Sequence, residues 1–69
     1  MNNKISIKAA RVNANLTQKE AALKLDVSKD TIGNWERGKS FPSVSKIPVI
    51  EEVYNIKYEN IIFLPTNYA

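Results

Sequence analysis

The stretch SKDTIGNWERGK, Ser28 to Lys39, places an ammonium (Lys29), a carboxylate (Asp30), a hydroxyl (Thr31), a carboxamide (Asn34) and a guanidinium (Arg37) within one short segment. These groups hydrogen-bond; they do not break bonds. An ammonium can donate to guanine O6 or N7, a carboxylate can accept from cytosine N4, and a carboxamide can pair with adenine at two points. The chain has no histidine and no cysteine. That removes the commonest general base, the commonest metal ligand and thiolate chemistry. There is also no glycine-rich phosphate loop and no pair of acids in a plausible cleft, so the expectation is recognition without catalysis, metal or cofactor.

Each residue also has a plainer use. Lys29 is either a base contact or an ordinary solvated lysine. Asp30 either meets a cytosine or is a first-turn acid favoured by the helix dipole. Thr31 either touches a thymine methyl or a phosphate, or helps cap its helix. Asn34 faces adenine or a phosphate. Gly33 costs about 1 kcal/mol against alanine inside a helix. It is read either as clearance for close approach to DNA or a partner helix, or as drift.

The elements that hold these residues follow from helical spacing. In the first segment Ile7, Ala10, Arg11 and Ala14 share one face, an arginine among apolar residues, and Asn15 sits where the helix ends. Thr17-Gln18-Lys19-Glu20 forms a capping box. Ala21, Ala22 and Leu25 make the inward stripe of a second helix that runs out at Asp26. Ser28 caps a third helix, with Ile32 and Trp35 inward, Val27 packing at the turn, and Gly38 at its end. Only Asp26 and Val27 separate the second helix from the Ser28 cap, which forces a sharply bent pair. A fourth helix has Ile47, Ile50, Val53 and Tyr54 inward. It starts either at a Ser45 cap, with Pro48 in the first turn, or at Ser43 with a kink near Pro48. A last short helix is expected over 58–63, although EEVYNIKYENIIFL has β-branched and aromatic content that also suits a strand.

Composition sets outer limits. Sixty-nine residues make one domain, and a chain this short buries only about 60% of its unfolded surface. A hydrophobic fraction of 43% argues for a folded globule, and the net charge of +3 permits a polyanionic partner. No apolar run approaches the ~20 residues needed to span a bilayer. The N-terminal stretch lacks the apolar core of a signal peptide, so no membrane association and a cytoplasmic location are expected.

The ordered set Leu16-Thr17-Gln18, Glu20-Ala21-Ala22, Leu25, Val27-Ser28, Ile32 and Trp35-Glu36-Arg37-Gly38-Lys39 resembles the helix-turn-helix domain of lambda-type phage repressors, Cro proteins and their XRE-family relatives. The likeness extends over roughly residues 5 to 64. It departs from the family where Asp26 and Asn15 stand in place of the usual glycines.

The resemblance implies an all-α, lambda repressor-like fold: a compact bundle of about five short helices with the helix-turn-helix at helices two and three. The domain would occupy residues 1–64 and a flexible tail residues 65–69. It implies a sequence-specific regulator of transcription, of phage or mobile-element repressor type, that binds a double-stranded DNA operator as a homodimer and takes no small-molecule ligand. The DNA-binding residues it points to are Gln18, Ser28, Lys29, Asp30, Thr31, Asn34, Arg37 and Lys39. Gln18 would bond a backbone phosphate and buttress the third helix. Lys39, Ser40 and Arg37 would meet phosphates on the flank; Lys19 and Lys46 are weaker candidates. Carried over from the family, Arg11 and Glu36 would form a partly buried ion pair tying helix one to helix three. The dimer surface would lie at Ile61, Ile62, Phe63 and Tyr68. The competing reading on the same fold is a protein-interaction module, such as an antitoxin or the target of an anti-repressor.

Overall fold

The computed structural model describes residues 4–63. In chain order these form a two-residue strand β1 (Ile5–Ser6) and helices α1 (Ile7–Asn13), α2 (Gln18–Leu25) and α3 (Lys29–Arg37). A 3-10 turn (Val44–Lys46) then runs into α4 (Ile47–Tyr54), and a second 3-10 turn (Tyr58–Asn60) leads to strand β2 (Ile61–Ile62). The architecture is all-α: four short helices on one core, with a minimal strand pair joining the two ends.

Hydroxyls start the first three helices. Ser6 Oγ accepts from the Ala9 amide at 3.0 Å, Thr17 Oγ1 from the Glu20 amide at 3.0 Å, and Ser28 Oγ from the Thr31 amide at 3.0 Å. Each satisfies an amide that has no partner within its own helix. Glu20 Oε1 accepts from the Thr17 amide at 2.9 Å, which completes the capping box. The bonds from the Thr17 amide and hydroxyl hold the Glu20 carboxyl below its ordinary range.

One device ends all four helices. Asn15, Asp26, Gly38 and Asn55 follow them with φ of 62°, 57°, 78° and 53°. The next amide then turns back on the last turn: Leu16 to the Arg11 carbonyl at 3.2 Å, Val27 to Ala22 at 3.0 Å, Lys39 to Asn34 at 2.8 Å, and Ile56 to Glu51 at 3.2 Å. Asparagine and aspartate tolerate the left-handed backbone because their short side chains can hydrogen-bond locally. The two departures from glycine, Asn15 and Asp26, therefore leave the turns intact.

The core comprises Ile7, Ala10, Ala21, Ala22, Leu25, Ile32, Trp35, Ile50, Tyr54 and Ile61. Three alanines at helix crossings let backbones approach closely. Ile47 and Val53 are only half-buried. The start of the fourth helix falls between the two expectations. The helical run follows Ser43 as a 3-10 turn and becomes α at Ile47, so Pro48 lies in the first α turn, where its missing N–H is not needed.

The final segment differs from the helix expected over 58–63. Only Tyr58–Asn60 is helical, and Ile61–Ile62 pairs in parallel with Ile5–Ser6. Consecutive β-branched residues favour extended backbone, and β1 supplies the hydrogen-bond partner. This pairing buries Ile61 in the core, which removes it from any dimer surface, while Ile62 stays exposed. Phe63 packs against Phe41 edge-on and against Tyr58, each at 5.6 Å between ring centroids. Tyr68 and the expected tail over residues 65–69 lie outside the described residues.

Candidate nucleic-acid interface

The bent pair is built from both sides of its turn. Asp26 reverses the chain in the left-handed conformation, and Val27 sinks half-buried against the core. The carbonyls left open at the end of α2 are met by Lys46, whose Nζ lies 2.8 Å from the Leu25 oxygen and 3.5 Å from that of Asp26. Lys46, a weak candidate for a charge contact, is thus a clamp that holds the turn to the start of the fourth helix. Its cation sits at the negative end of α2, the favourable polarity.

Helix α3 has two faces of opposite character. Ile32 and Trp35 are 1% and 3% exposed, locked in the core. Lys29, Asp30 and Arg37 are exposed, and Asn34 and Thr31 are half-buried. Ser28 and Thr31 form a closed cap, with their hydroxyls 2.9 Å apart in addition to the bond from the Thr31 amide. Past the helix, Lys39 is exposed and Ser40 half-buried, and both backbone amides reach the Asn34 carbonyl, at 2.8 and 3.4 Å. Arg37 does not extend towards the flank. Its Nη2 donates to Asn34 Oδ1 at 2.8 Å.

Behind this face lies a buried polar cluster. Arg11 Nε donates to Glu36 Oε2 at 2.6 Å and Arg11 Nη2 to Glu36 Oε1 at 3.3 Å. Arg11 Nη1 donates to the Leu16 carbonyl at 2.7 Å, and Gln18 Nε2 donates to Glu36 Oε1 at 3.0 Å. Arg11 and Glu36 are only 7% and 8% exposed. One carboxylate thus ties α1, the start of α2 and the last turns of α3 together. Its hydrogen bond to Arg11 and its charge, opposed by desolvation, raise the arginine pKa. Gln18 spends one amide hydrogen on this buttress.

The Tyr54 hydroxyl is buried near the cluster and has no hydrogen-bond partner among the described residues. Burial pushes its pKa up to about 12, with Glu36 adding to the shift and Arg11 opposing it. The folded state therefore favours the neutral phenol. Its contribution to stability is fully present below the ordinary value of 10.0 and is lost as pH rises towards 12. Tyr54→Phe should remove that alkaline loss. It should also raise the melting temperature at neutral pH by a few degrees, about 1 kcal/mol, since an unpaired buried hydroxyl is costly. Circular-dichroism melts of both chains from pH 7 to about 12 check this. A variant that melts lower than the parent at neutral pH would contradict it.

Among the described residues no group of acids could hold a metal ion. A shallow notch is lined by Glu51, Asn55, Ile56 and Lys57, and Glu51 Oε2 accepts from the Tyr58 amide at 2.8 Å. The clamp made by Lys46 and the bond from Arg11 to the Leu16 carbonyl were not legible in the sequence, because backbone atoms accept in both; nor was the burial of the Tyr54 hydroxyl beside the cluster.

A family model described as helix-turn-helix matches residues 7–61. The chain belongs to the XRE-type helix-turn-helix family. Among its helix-turn-helix relatives is an uncharacterised HTH-type transcriptional regulator of Archaeoglobus fulgidus, 40% identical over 80% of this chain and 78% of that protein. The HTH-type transcriptional regulator ImmR of Bacillus subtilis is 32% identical over 81% of this chain and 44% of its own length. The HTH-type transcriptional activator BcrR of Enterococcus faecalis is 31% identical over 75% of this chain and 26% of its own length. The chain thus spans less than half of these last two helix-turn-helix proteins. No solved structure matches it. No helix among the described residues is long and apolar enough to cross a membrane.

Proposed function

We propose that the protein is a sequence-specific double-stranded DNA-binding regulator of transcription, of phage- or mobile-element repressor type, that acts in the cytoplasm as a homodimer on a palindromic operator. The observation that supports this most strongly is the division of α3: Ile32 and Trp35 buried, Lys29, Asp30 and Arg37 exposed on the same short helix. A helix so anchored can lie in a major groove about 12 Å wide with its outward residues against base edges.

In this reading Lys29, Asp30 and Asn34 face bases. Gln18, at the first position of α2, and Lys39, beyond α3, hold phosphates on either side; free amides at the α2 start add to the Gln18 contact. Ser28 and Thr31 set the start of the reading helix. Phosphate contacts supply affinity and register, and the α3 side chains supply sequence. Two copies would place their α3 helices about 34 Å apart, one turn of duplex. One apolar surface available for pairing is Phe41, Ile62 and the half-buried Phe63, where Phe41 and Ile62 are 56% and 47% exposed and Phe63 packs edge-on against Phe41. The same surface would serve a different protein partner in the alternative reading.

Selection of duplexes from a random pool is the test. A palindromic consensus is expected. Binding should also weaken steeply as salt rises from about 50 to about 200 mM, as counterion release at the neutralised phosphates requires. Weak binding that is blind to sequence would favour the protein-interaction reading.

A further inference from the structure

We propose that Arg37 reads a guanine in the major groove, held in its reading position by Asn34 and admitted there by Gly33; this rests on α3 being the helix that meets DNA. Arg37 occupies the last turn of α3, from which an extended arginine would reach a flanking phosphate. The structure instead folds it back along the helix. Its Nη2 donates to Asn34 Oδ1 at 2.8 Å. A Cβ placed on Gly33 would stand 3.0 Å from Nη1 and 3.6 Å from Cζ. Gly33 is consequently buried although it lies away from the core anchors, because the guanidinium covers it.

Asp30, Gly33, Asn34 and Arg37 follow the i, i+3, i+4, i+7 spacing of one helix stripe. The fold thus delivers the guanidinium to the middle of the outward stripe, not to its end. One hydrogen bond to Asn34 leaves the other N–H groups free, enough for the two-point contact with guanine O6 and N7. Fixing the fork before binding reduces the ordering cost when DNA arrives. Glycine inside a helix is unfavourable. Here it provides the notch that the guanidinium fills, which separates the two sequence-level readings of Gly33 in favour of clearance, for this chain's own side chain.

Two substitutions test the assignment. Gly33→Ala sets a methyl 3.0 Å from Arg37 Nη1, so the guanidinium must shift from the position Asn34 fixes, while helix propensity improves and the melting temperature should rise. Arg37→Lys keeps the charge but loses the planar fork, on an exposed side chain that the fold does not need. The probe is the duplex that the unaltered chain selects from a random pool, together with all its single-base variants, with binding read by fluorescence anisotropy at several salt concentrations. Both substitutions should cost about tenfold in discrimination at one G·C pair, with the salt slope unchanged. Full discrimination retained at every position would overturn the proposal. So would a uniform loss across all duplexes with a salt slope lower by about one, the mark of a phosphate contact. If the unaltered chain selects no consensus, the DNA-binding reading itself fails, and this inference with it.

Discussion

Glu36→Ala is expected to lower the melting temperature by roughly 15–30 °C. Removing one partner of a buried ion pair costs about 3–5 kcal/mol, because the charge left behind has lost both its water and its counter-ion. In so small a domain each kcal/mol moves the midpoint by about 4–8 °C. The environment here points to the upper part of the range. Arg11 is 7% exposed, and Glu36 accepts from both Arg11 and Gln18. The substitution strands a guanidinium and a carboxamide together. A domain of this length has a total stability of about 3–10 kcal/mol, so the variant should be partly unfolded at physiological temperature.

The same reasoning gives the control. Replacing both partners by apolar residues of similar volume, Arg11→Met with Glu36→Leu, should recover most of the loss, because no buried charge is then left unpaired. The Leu16 carbonyl that Arg11 satisfies at 2.7 Å would remain open, which keeps recovery incomplete. Thermal melts of the single and double variants decide the matter. A single variant that melts like its parent would show that the cluster is better solvated than its burial indicates.

The second large effect separates the two faces of α3. Trp35→Ala should cost about 3–5 kcal/mol, the usual range for truncating a large buried aromatic. The indole is 3% exposed and lies in the same core as Ile7, Leu25, Ile32 and Ile50. DNA binding would disappear because the helix is no longer held. Asn34→Ala, the neighbouring position, should leave the melting temperature within a few degrees, since its side chain bonds only the exposed Arg37 and surface changes of this kind stay within about 0.5 kcal/mol. It should nevertheless abolish discrimination between the selected duplex and random DNA. Melting curves and anisotropy titrations on the two variants give four results. Were both variants to lose stability equally, α3 would have no free face, and the interface would have to lie elsewhere.

Much of this was legible in the residues. The Thr17–Glu20 box, the Ser28 cap and the glycine at position 38 are local signals, each acting within four residues, so sequence order alone reveals them. The inward stripes of the first three helices follow from spacing. Resemblance, not spacing, singled out Glu36 as the partner of Arg11. Where the reading fell short, a distant partner decided. Ile61–Ile62 is extended because Ile5–Ser6 lies beside it, and nothing local to residues 58–63 announces a strand more than fifty positions earlier.

The sequence by itself determined where the second and third helices begin and end, which faces of the first three turn inward, and which side chains are on hand for recognition. Capping, periodicity and side-chain inventory are short-range properties and need no coordinates. Only the tertiary structure decided that Lys46 closes the turn, that Tyr54 buries its hydroxyl near the Arg11–Glu36 pair, and that Arg37 lies folded over Gly33 on Asn34. Those outcomes depend on directions in space and on competition for the same polar atoms. A linear order of residues records neither until packing has brought the groups together.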